Sequence, residues 1–341
     1  VAARDAATDA LRRIAYLLER ALEPTYRVQA FRSAAAILDD MTDVDFDRRV
    51  TAGTLRELAG IGEVTERVMV QAAAGQVPEY LQRLEDESAG PLAAGGAELQ
   101  ARLRGDLHTH SDWSDGGSPI REMALTAREL GHEYIALTDH SPRLTVANGL
   151  SVERLLQQLD IVSALNEELA PFRILTGIEV DILDDGSLDQ DPALLARLDV
   201  VVASVHSKLR MPSAHMTARM VAAVANPAVD ILGHCTGRMV TGNRSRPESE
   251  FDAEIVFEAC RQFGVAVEVN SRPERRDPPR RLLALAVQTG CLFSIDTDAH
   301  APGQLEWQAY GSERAKGCGV DPDRVIDTWP MADVLAHGHR S

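Results

Sequence analysis

The sequence predicts an α/β protein in which a small all-helical unit precedes a barrel built from a series of βα units. Three observations predict it. Near the N-terminus, apolar residues such as Leu11, Ile14, Leu17 and Leu18 recur at the spacing of one helix face. From about residue 104 the pattern changes to short apolar runs separated by helical segments, as expected for parallel strands with crossover helices. Between the two lies Ser88-Ala-Gly-Pro-Leu-Ala-Ala-Gly-Gly-Ala97, whose Gly, Ala and Pro content marks a flexible connection. The expected division is a helical domain over 1–88, a linker over 89–101, the barrel over 102–332 and a tail over 333–341.

Seven apolar runs are expected as strands, near 104–110, 133–139, 174–181, 198–206, 229–234, 264–270 and 291–298. The helices between them carry punctuation. Ser118 is expected to cap a helix with Pro119 in its first turn and Gly131 at its end. Ser151 is expected to cap another that runs toward Leu169. Seven strands in such a series suggest a barrel closely related to the eight-stranded kind.

Composition bounds the function. Of 341 residues, 45% are hydrophobic and only 4% aromatic, so the core must be built mainly from Ala, Leu, Val and Ile. The net charge of −17 disfavours non-specific attraction to a polyanion, which depends on Lys and Arg meeting phosphates. Lysine is almost absent, Lys208 and Lys316 being the two, whereas arginine is plentiful. No apolar run approaches the roughly 18 residues a membrane helix needs, and no basic-then-apolar leader pattern is seen, so the cytoplasm is the expected location. Cys235, Cys260, Cys291 and Cys318 contain no CxxC pair, which argues against a disulfide framework and a thiolate zinc site.

The informative residues stand where the strands end. The first run ends in Asp106-Leu-His-Thr-His110 and is followed by Asp115; the second ends in Thr138-Asp-His140 and the third in Glu179-Val-Asp181. The fourth ends in His206, the fifth in His234 and the seventh in Asp298-Ala-His300. Residues two apart on a strand share a face, so His108 with His110 can grip one cation, and Asp298 and His300 have the same relation. In a βα barrel the carboxyl ends of the strands form one rim, which brings distant ligands together. Imidazole with carboxylate suits Zn, Mn or Fe, and Glu179 could bridge two cations. His132, His215, His337 and His339, at helix ends or in the tail, are expected to be surface residues.

The run Arg104-Gly-Asp-Leu-His-Thr-His-Ser-Asp-Trp-Ser-Asp-Gly116 stands with TDH, GIEVDI, ASVHS, DILGH and DTDAH at their spacings. Together they resemble the polymerase and histidinol phosphatase (PHP) domain. Leu232-Gly-His-Cys-Thr-Gly-Arg238 and Val325-Ile-Asp-Thr-Trp-Pro330 make the sequence most similar to the version at the C-terminus of bacterial X-family DNA polymerases. The resemblance implies a distorted seven-stranded (β/α)7 barrel with three divalent metal ions. By motif, the first ion takes His108, His110, Glu179 and Asp298; the second shares Glu179 and adds His206 and His234; the third takes Asp115, His140 and His300. Some members carry histidine where Asp115 stands.

Residues 8–88 resemble the small helical DNA-binding domain that opens the same polymerases, through Tyr26-Arg-Val-Gln-Ala-Phe-Arg32 and the helix-hairpin-helix phrase Leu55-Arg-Glu-Leu-Ala-Gly-Ile-Gly62. That implies a DNA contact through the Gly60–Gly62 hairpin, where backbone N–H groups approach a phosphate. Two departures stand out. Glu63 and Glu66 follow the hairpin, and Val68 replaces the Schiff-base lysine of lyase-active relatives, which excludes amine-based lyase chemistry in this domain. No palm or finger region separates the two parts, so nucleotide polymerisation is not expected.

The expected activity is phosphoester hydrolysis by a metal-bridging hydroxide, with Arg238, Arg272 and Arg275 orienting phosphate and Asn270 ending the one strand without a ligand. DNA 3′ ends are the expected substrate, by 3′-5′ exonuclease or 3′-phosphatase action. The alternatives are a small-molecule phosphatase of the histidinol-phosphatase type and a non-catalytic DNA-end or partner-binding adaptor.

Overall fold

A computed structural model of the protein describes residues 2–241 and 245–338. It divides into two compact units, residues 1–91 and 92–341.

The first unit is helical. Helices α1 (Ala3–Arg20), α2 (Thr25–Asp39), α3 (Asp43–Ala52), α4 (Glu63–Ala73) and α5 (Glu79–Ser88) follow one another. Leu11, Ile14, Leu17 and Leu18 are buried together with Leu38, Phe46, Leu55 and Met69, so the apolar stripe of α1 forms the core. Thr42 caps α3 by accepting from the Asp45 N–H. Between α3 and α4 the chain makes a 3-10 turn at Leu55–Glu57 and then passes Gly60, whose φ of +95° favours glycine. At the start of α4 the Gly62 N–H, expected to face a phosphate, donates to Thr65 Oγ1 at 2.9 Å. Glu63 and Glu66 lie in the first turn, with Arg67 and Arg56 paired to them.

The second unit carries seven strands: β1 (Gly105–Thr109), β2 (Tyr134–Leu137), β3 (Arg173–Asp181), β4 (Val200–Ser204), β5 (Ile231–Leu232), β6 (Ala266–Glu268) and β7 (Leu292–Ser294). They form one curled, all-parallel sheet in sequential order β1 to β7. Helices α6 (Ala97–Gln100), α7 (Ile120–Glu129), α8 (Val152–Leu169), α9 (Pro192–Leu195), α10 (Ser213–Val224), α11 (Ala253–Phe263), α12 (Arg280–Thr289), α13 (Gln308–Gly317) and α14 (Met331–Gly338) complete the unit. Residues Ile178, Val180, Val201, Ala203 and Val267 join the helix-covered core, while their strand neighbours Leu175, Val200, Val202 and Ala266 belong to a separate cluster with Ile326 and Val334. Alternate positions thus serve opposite faces of the sheet.

The two edges, β1 and β7, meet with little ladder pairing. Side chains supply what the backbone lacks. The Leu107 N–H donates to Asp296 Oδ1 at 2.8 Å, the Thr297 N–H to Asp106 Oδ1 at 3.2 Å, and the His110 N–H to the Ala299 carbonyl at 2.8 Å. Lower down, the Ile295 N–H donates to Asp327 Oδ2 at 2.8 Å and the Arg104 N–H to the Asp327 carbonyl at 2.7 Å. Burial, and then the charge of Asp296, raises the carboxyls of Asp106 and Asp327; burial with the charge of Glu268 pushes Asp296 up to about 6. The Val325–Trp329 segment therefore seals the seam.

Several expectations are corrected. The helix after Ser118 starts at Ile120 with Pro119 at its cap, and the buried Ser118 Oγ has no hydrogen-bond partner, because the chain is extended at Pro119. Ser151 does cap α8. The expected linker includes α6, whose Leu99 is buried, and the expected tail includes α14, whose Val334 joins the cluster around Ile326. Apolar residues at these places are what turn connector and tail into packed structure. Replacing Ile326 with Ala should cost about 2–5 kcal/mol, read from the denaturation midpoint of the full chain; an unchanged midpoint would remove this segment from the core.

Candidate metal centre

The rim formed by the carboxyl ends of the strands gathers the candidate ligands around Glu179, which is 1% exposed. Its two oxygens face opposite sets. Oε2 lies 3.4 Å from His108 Nε2, 3.6 Å from His110 Nε2 and 2.9 Å from His140 Nδ1. Oε1 lies 3.2 Å from His206 Nε2 and 2.9 Å from His234 Nε2. Asp298 Oδ1 is 3.4 Å from His110 Nε2. To one side, Asp115 Oδ1 lies 3.5 Å from His140 Nε2 and 3.3 Å from His300 Nε2. All nine residues expected as ligands are thus brought together. His110, Asp115, His140 and His300 form one group with converging donor atoms, His108, His110 and Glu179 a second, and His140, Glu179 and His206 a third.

Local backbone geometry aims them. Asp298 has φ +53°, a left-handed conformation rare for a residue with a side chain and frequent at functional sites. Gly233 lets β5 approach β4 just before His234, since a Cβ there would stand 2.3 Å from Ser204 Oγ.

Electrostatics follow from burial and crowding. Burial disfavours charge on Glu179, but the imidazoles of His140, His206 and His108 outweigh it and hold its carboxyl well below the usual range. Burial and the neighbouring His300 and His140 push His110 down to about 3. Burial opposes charge on His206, yet Glu179 and Asp181 raise it to about 9.

The donor set fits divalent cations. His108 Nε2, both ring nitrogens of His110, His140 Nδ1, Glu179 Oε2, His206 Nε2 and His234 Nδ1 are buried without a hydrogen-bond partner. Each such atom costs about 1–3 kcal/mol if left unsatisfied. A bound cation satisfies imidazole nitrogen and carboxylate oxygen together.

Two partners of these histidines have no assigned role in the sequence: Glu268, which is not named there, and Asp181, which is named only as a strand-end carboxylate. Glu268 Oε1 lies 2.6 Å from His108 Nδ1, and Asp181 Oδ1 lies 2.6 Å from His206 Nδ1. Each carboxylate accepts the Nδ1 proton and so leaves Nε2 as the free lone pair, the tautomer a cation requires. His300 Nδ1 lies between the Asp298 carbonyl at 2.8 Å and Arg272 Nη1 at 2.9 Å. Strand β6 therefore carries a functional residue after all. The available signal was a glutamate inside the buried run Val265-Ala-Val-Glu-Val269. Asn270 Nδ2 donates to Asp298 Oδ2 at 3.1 Å.

The arginines separate. Arg272 donates to the Asp298 carbonyl at 2.8 Å and lies over the Trp307 ring at 5.4 Å, and Arg275 Nε is 3.2 Å from Asp298 Oδ2. Arg238 is not brought to the centre: its guanidinium is held by the carbonyls of Arg275 and Arg276 and by Glu248, so it braces the loop that carries the other two. Of the remaining histidines, His215 is exposed. His132 and His337 are half-buried, the latter 2.9 Å from the Gly264 carbonyl and edge-on to Trp329. His339 lies outside the described residues.

Comparison with known proteins matches this architecture. The family model for the PHP domain matches residues 106–272. A probable phosphatase of Thermoanaerobacter sp. (strain X514) is 30% identical over 234 residues, which cover 65% of this chain and 89% of that protein. The chain belongs to the PHP domain family. The DNA polymerase/3'-5' exonuclease PolX of Bacillus subtilis (strain 168) is 42% identical to this PHP protein over 235 residues, 69% of the chain but 41% of the relative's length. The histidinol phosphate phosphatase of Lactococcus lactis subsp. lactis Il1403, solved with zinc, L-histidinol and phosphate, aligns with TM-score 0.46 and 18% identity, covering 64% of this chain and 95% of that one. The PHP protein is a metal-dependent hydrolase acting on phosphoester bonds.

Glu268→Gln keeps the shape of the side chain but weakens its hold on the His108 proton. It should lower metal affinity about 10–100-fold, measured by competition with a chelator; wild-type affinity would deny Glu268 this role.

Proposed function

We propose that this PHP protein hydrolyses phosphoester bonds at DNA 3′ ends, as a 3′-5′ exonuclease or 3′-phosphatase, with three divalent ions of Mn, Zn or Fe. The observation that carries the reading is the two-faced Glu179 carboxylate between two imidazole sets, with Arg272 and Arg275 beside Asp298. His108, His110, Glu179 and Asp298 would hold the first ion, Glu179, His206 and His234 the second, and Asp115, His140 and His300 the third. The distances given above support this grouping.

Bound divalent ions supply Lewis acidity toward phosphoryl oxygens and lower the pKa of water. The chain's own groups prepare the rest. Glu268 and Asp181 fix the protons of His108 and His206 on Nδ1, so that both Nε2 atoms face inward. Arg272 and Arg275 offer N–H donors to a phosphate: Arg275 Nε lies 3.2 Å from Asp298 Oδ2, and its Nη1 is buried without a hydrogen-bond partner. Arg238 keeps their loop in place.

The 42% identity to the exonuclease-bearing relative favours a DNA end as substrate. The helical unit adds little to that reading, because Gly62 has spent its N–H on Thr65 and Glu63 opens the following helix. A small phosphomonoester of the histidinol phosphate type is the second reading, favoured by the net charge of −17.

Replacing His108 or Glu179 with Ala should abolish turnover; near-wild-type rates in a chelator-washed, metal-resupplied preparation would contradict the assignment. Between substrates, kcat/KM for a labelled DNA 3′ end should exceed that for histidinol phosphate by about tenfold or more, a difference of at least about 1.4 kcal/mol in transition-state binding. The reverse order, measured in Mn and in Zn, would favour the small-molecule reading.

A further inference from the structure

The loop after β6 has two sides. Arg272 and Arg275 turn to Asp298, whereas Ser271 and Arg276 line a separate basin of about 620 Å³ that the metal centre does not use. Arg238, Arg280 and Arg314 complete its cationic wall, and Tyr310 and Glu313 come from α13. The basin lies among segments that follow β5, β6 and β7, on the same rim of the barrel as the metal centre.

Its charge is the opposite of the chain's. The protein carries −17 overall, yet this basin gathers four guanidinium groups against the carboxylate of Glu313, which already accepts the Ala94 N–H at 3.2 Å. Several arginines elsewhere are neutralised, as Arg4 is by Asp43, Arg12 by Asp39, Arg104 by Glu133 and Arg121 by Glu168. Arg276, Arg280 and Arg314, by contrast, form no ion pair among the described residues. Arg314 is 7% exposed and spends two N–H groups on the carbonyls of Asn270 and Pro278. The neighbouring carboxylate of Asp277 is occupied by Thr236. Ser271, 1% exposed, has an Oγ without a hydrogen-bond partner. Collecting like charges in a partly enclosed wall is costly unless an anion joins them.

We propose that this basin binds a phosphate group, as a site separate from the metal centre. Guanidinium forks and a hydroxyl match the tetrahedral oxygens of a phosphate. The shared wall links the two sites: a phosphate held by Arg276 and Arg280 sits across one loop from Arg272 and Arg275. Two sources carry this chemistry, namely a backbone phosphate of a strand whose end lies at the metal centre, or a free nucleoside monophosphate. The first source rests on the DNA-end reading; the binding itself does not.

The test uses the full-length metal-loaded protein and the exposed double variant Arg276→Gln, Arg280→Gln. Calorimetric titration with inorganic phosphate and with dAMP should show a binding event that weakens about tenfold or more in the variant. A denaturation midpoint equal to wild type would verify folding, and Arg276→Lys, Arg280→Lys should retain part of the affinity. Binding of both probes unchanged in the Gln variant overturns the proposal, whatever the enzyme's substrate proves to be. KM then separates the sources. A rise of about tenfold for a longer oligonucleotide but not for a dinucleotide identifies a backbone phosphate, whereas loss of dAMP binding with every KM unchanged identifies a free nucleotide.

Discussion

Everything at the rim depends on one buried carboxylate. Glu179 stands where five imidazoles approach within hydrogen-bonding or near-contact distance, and each of its oxygens serves a different set. These groups satisfy one another only in part, His234 Nε2 reaching Glu179 Oε1 at 2.9 Å. Buried ring nitrogens of His108, His110, His140, His206 and His234 remain without a hydrogen-bond partner. A protein core tolerates such atoms only when another partner completes them, and imidazole with carboxylate defines that partner as a divalent cation.

Holding that arrangement requires a rigid frame, and the frame is built at the seam between the first and last strands. Backbone pairing there is sparse, so Asp106, Asp296 and Asp327 take its place by accepting N–H groups across the gap. The same segments continue into His108, His110, Asp298 and His300. Sealing the sheet and aiming the ligands are therefore one structural task. Glu268 and Asp181 add the finer control, since the proton they accept decides which imidazole nitrogen is presented.

Charge is distributed unevenly around this frame. In the helical unit, arginines are paired with nearby carboxylates, as Arg32 is with Glu19 and Arg49 with Asp45. Around the loop after β6, Arg272 and Arg275 pair with Asp298, whereas Arg276, Arg280 and Arg314 line the adjoining basin with no ion pair among the described residues. An acidic protein that keeps a cationic wall beside a cation-binding centre is suited to anionic esters, and its net charge limits adhesion to polyanions elsewhere on the surface.

Strand order, strand number and the nine converging residues at the centre were legible in the chain itself. A βα alternation forces parallel strands, and parallel strands place their carboxyl ends on one side. What pairs across that rim was not legible. Glu268 reads as an ordinary residue of a valine-rich strand until folding sets it against His108, 160 positions away. Arg238 belongs to a phrase that suggests phosphate contact, yet backbone carbonyls capture its guanidinium. Similarly, Gly62 has the right identity for a phosphate-facing amide, and Thr65 three positions on has already claimed that N–H. Residue type and spacing determined which groups gather and on which side of the sheet; tertiary structure decided which hydrogen bonds they make, because a donor is committed by whichever acceptor the fold brings within about 3 Å.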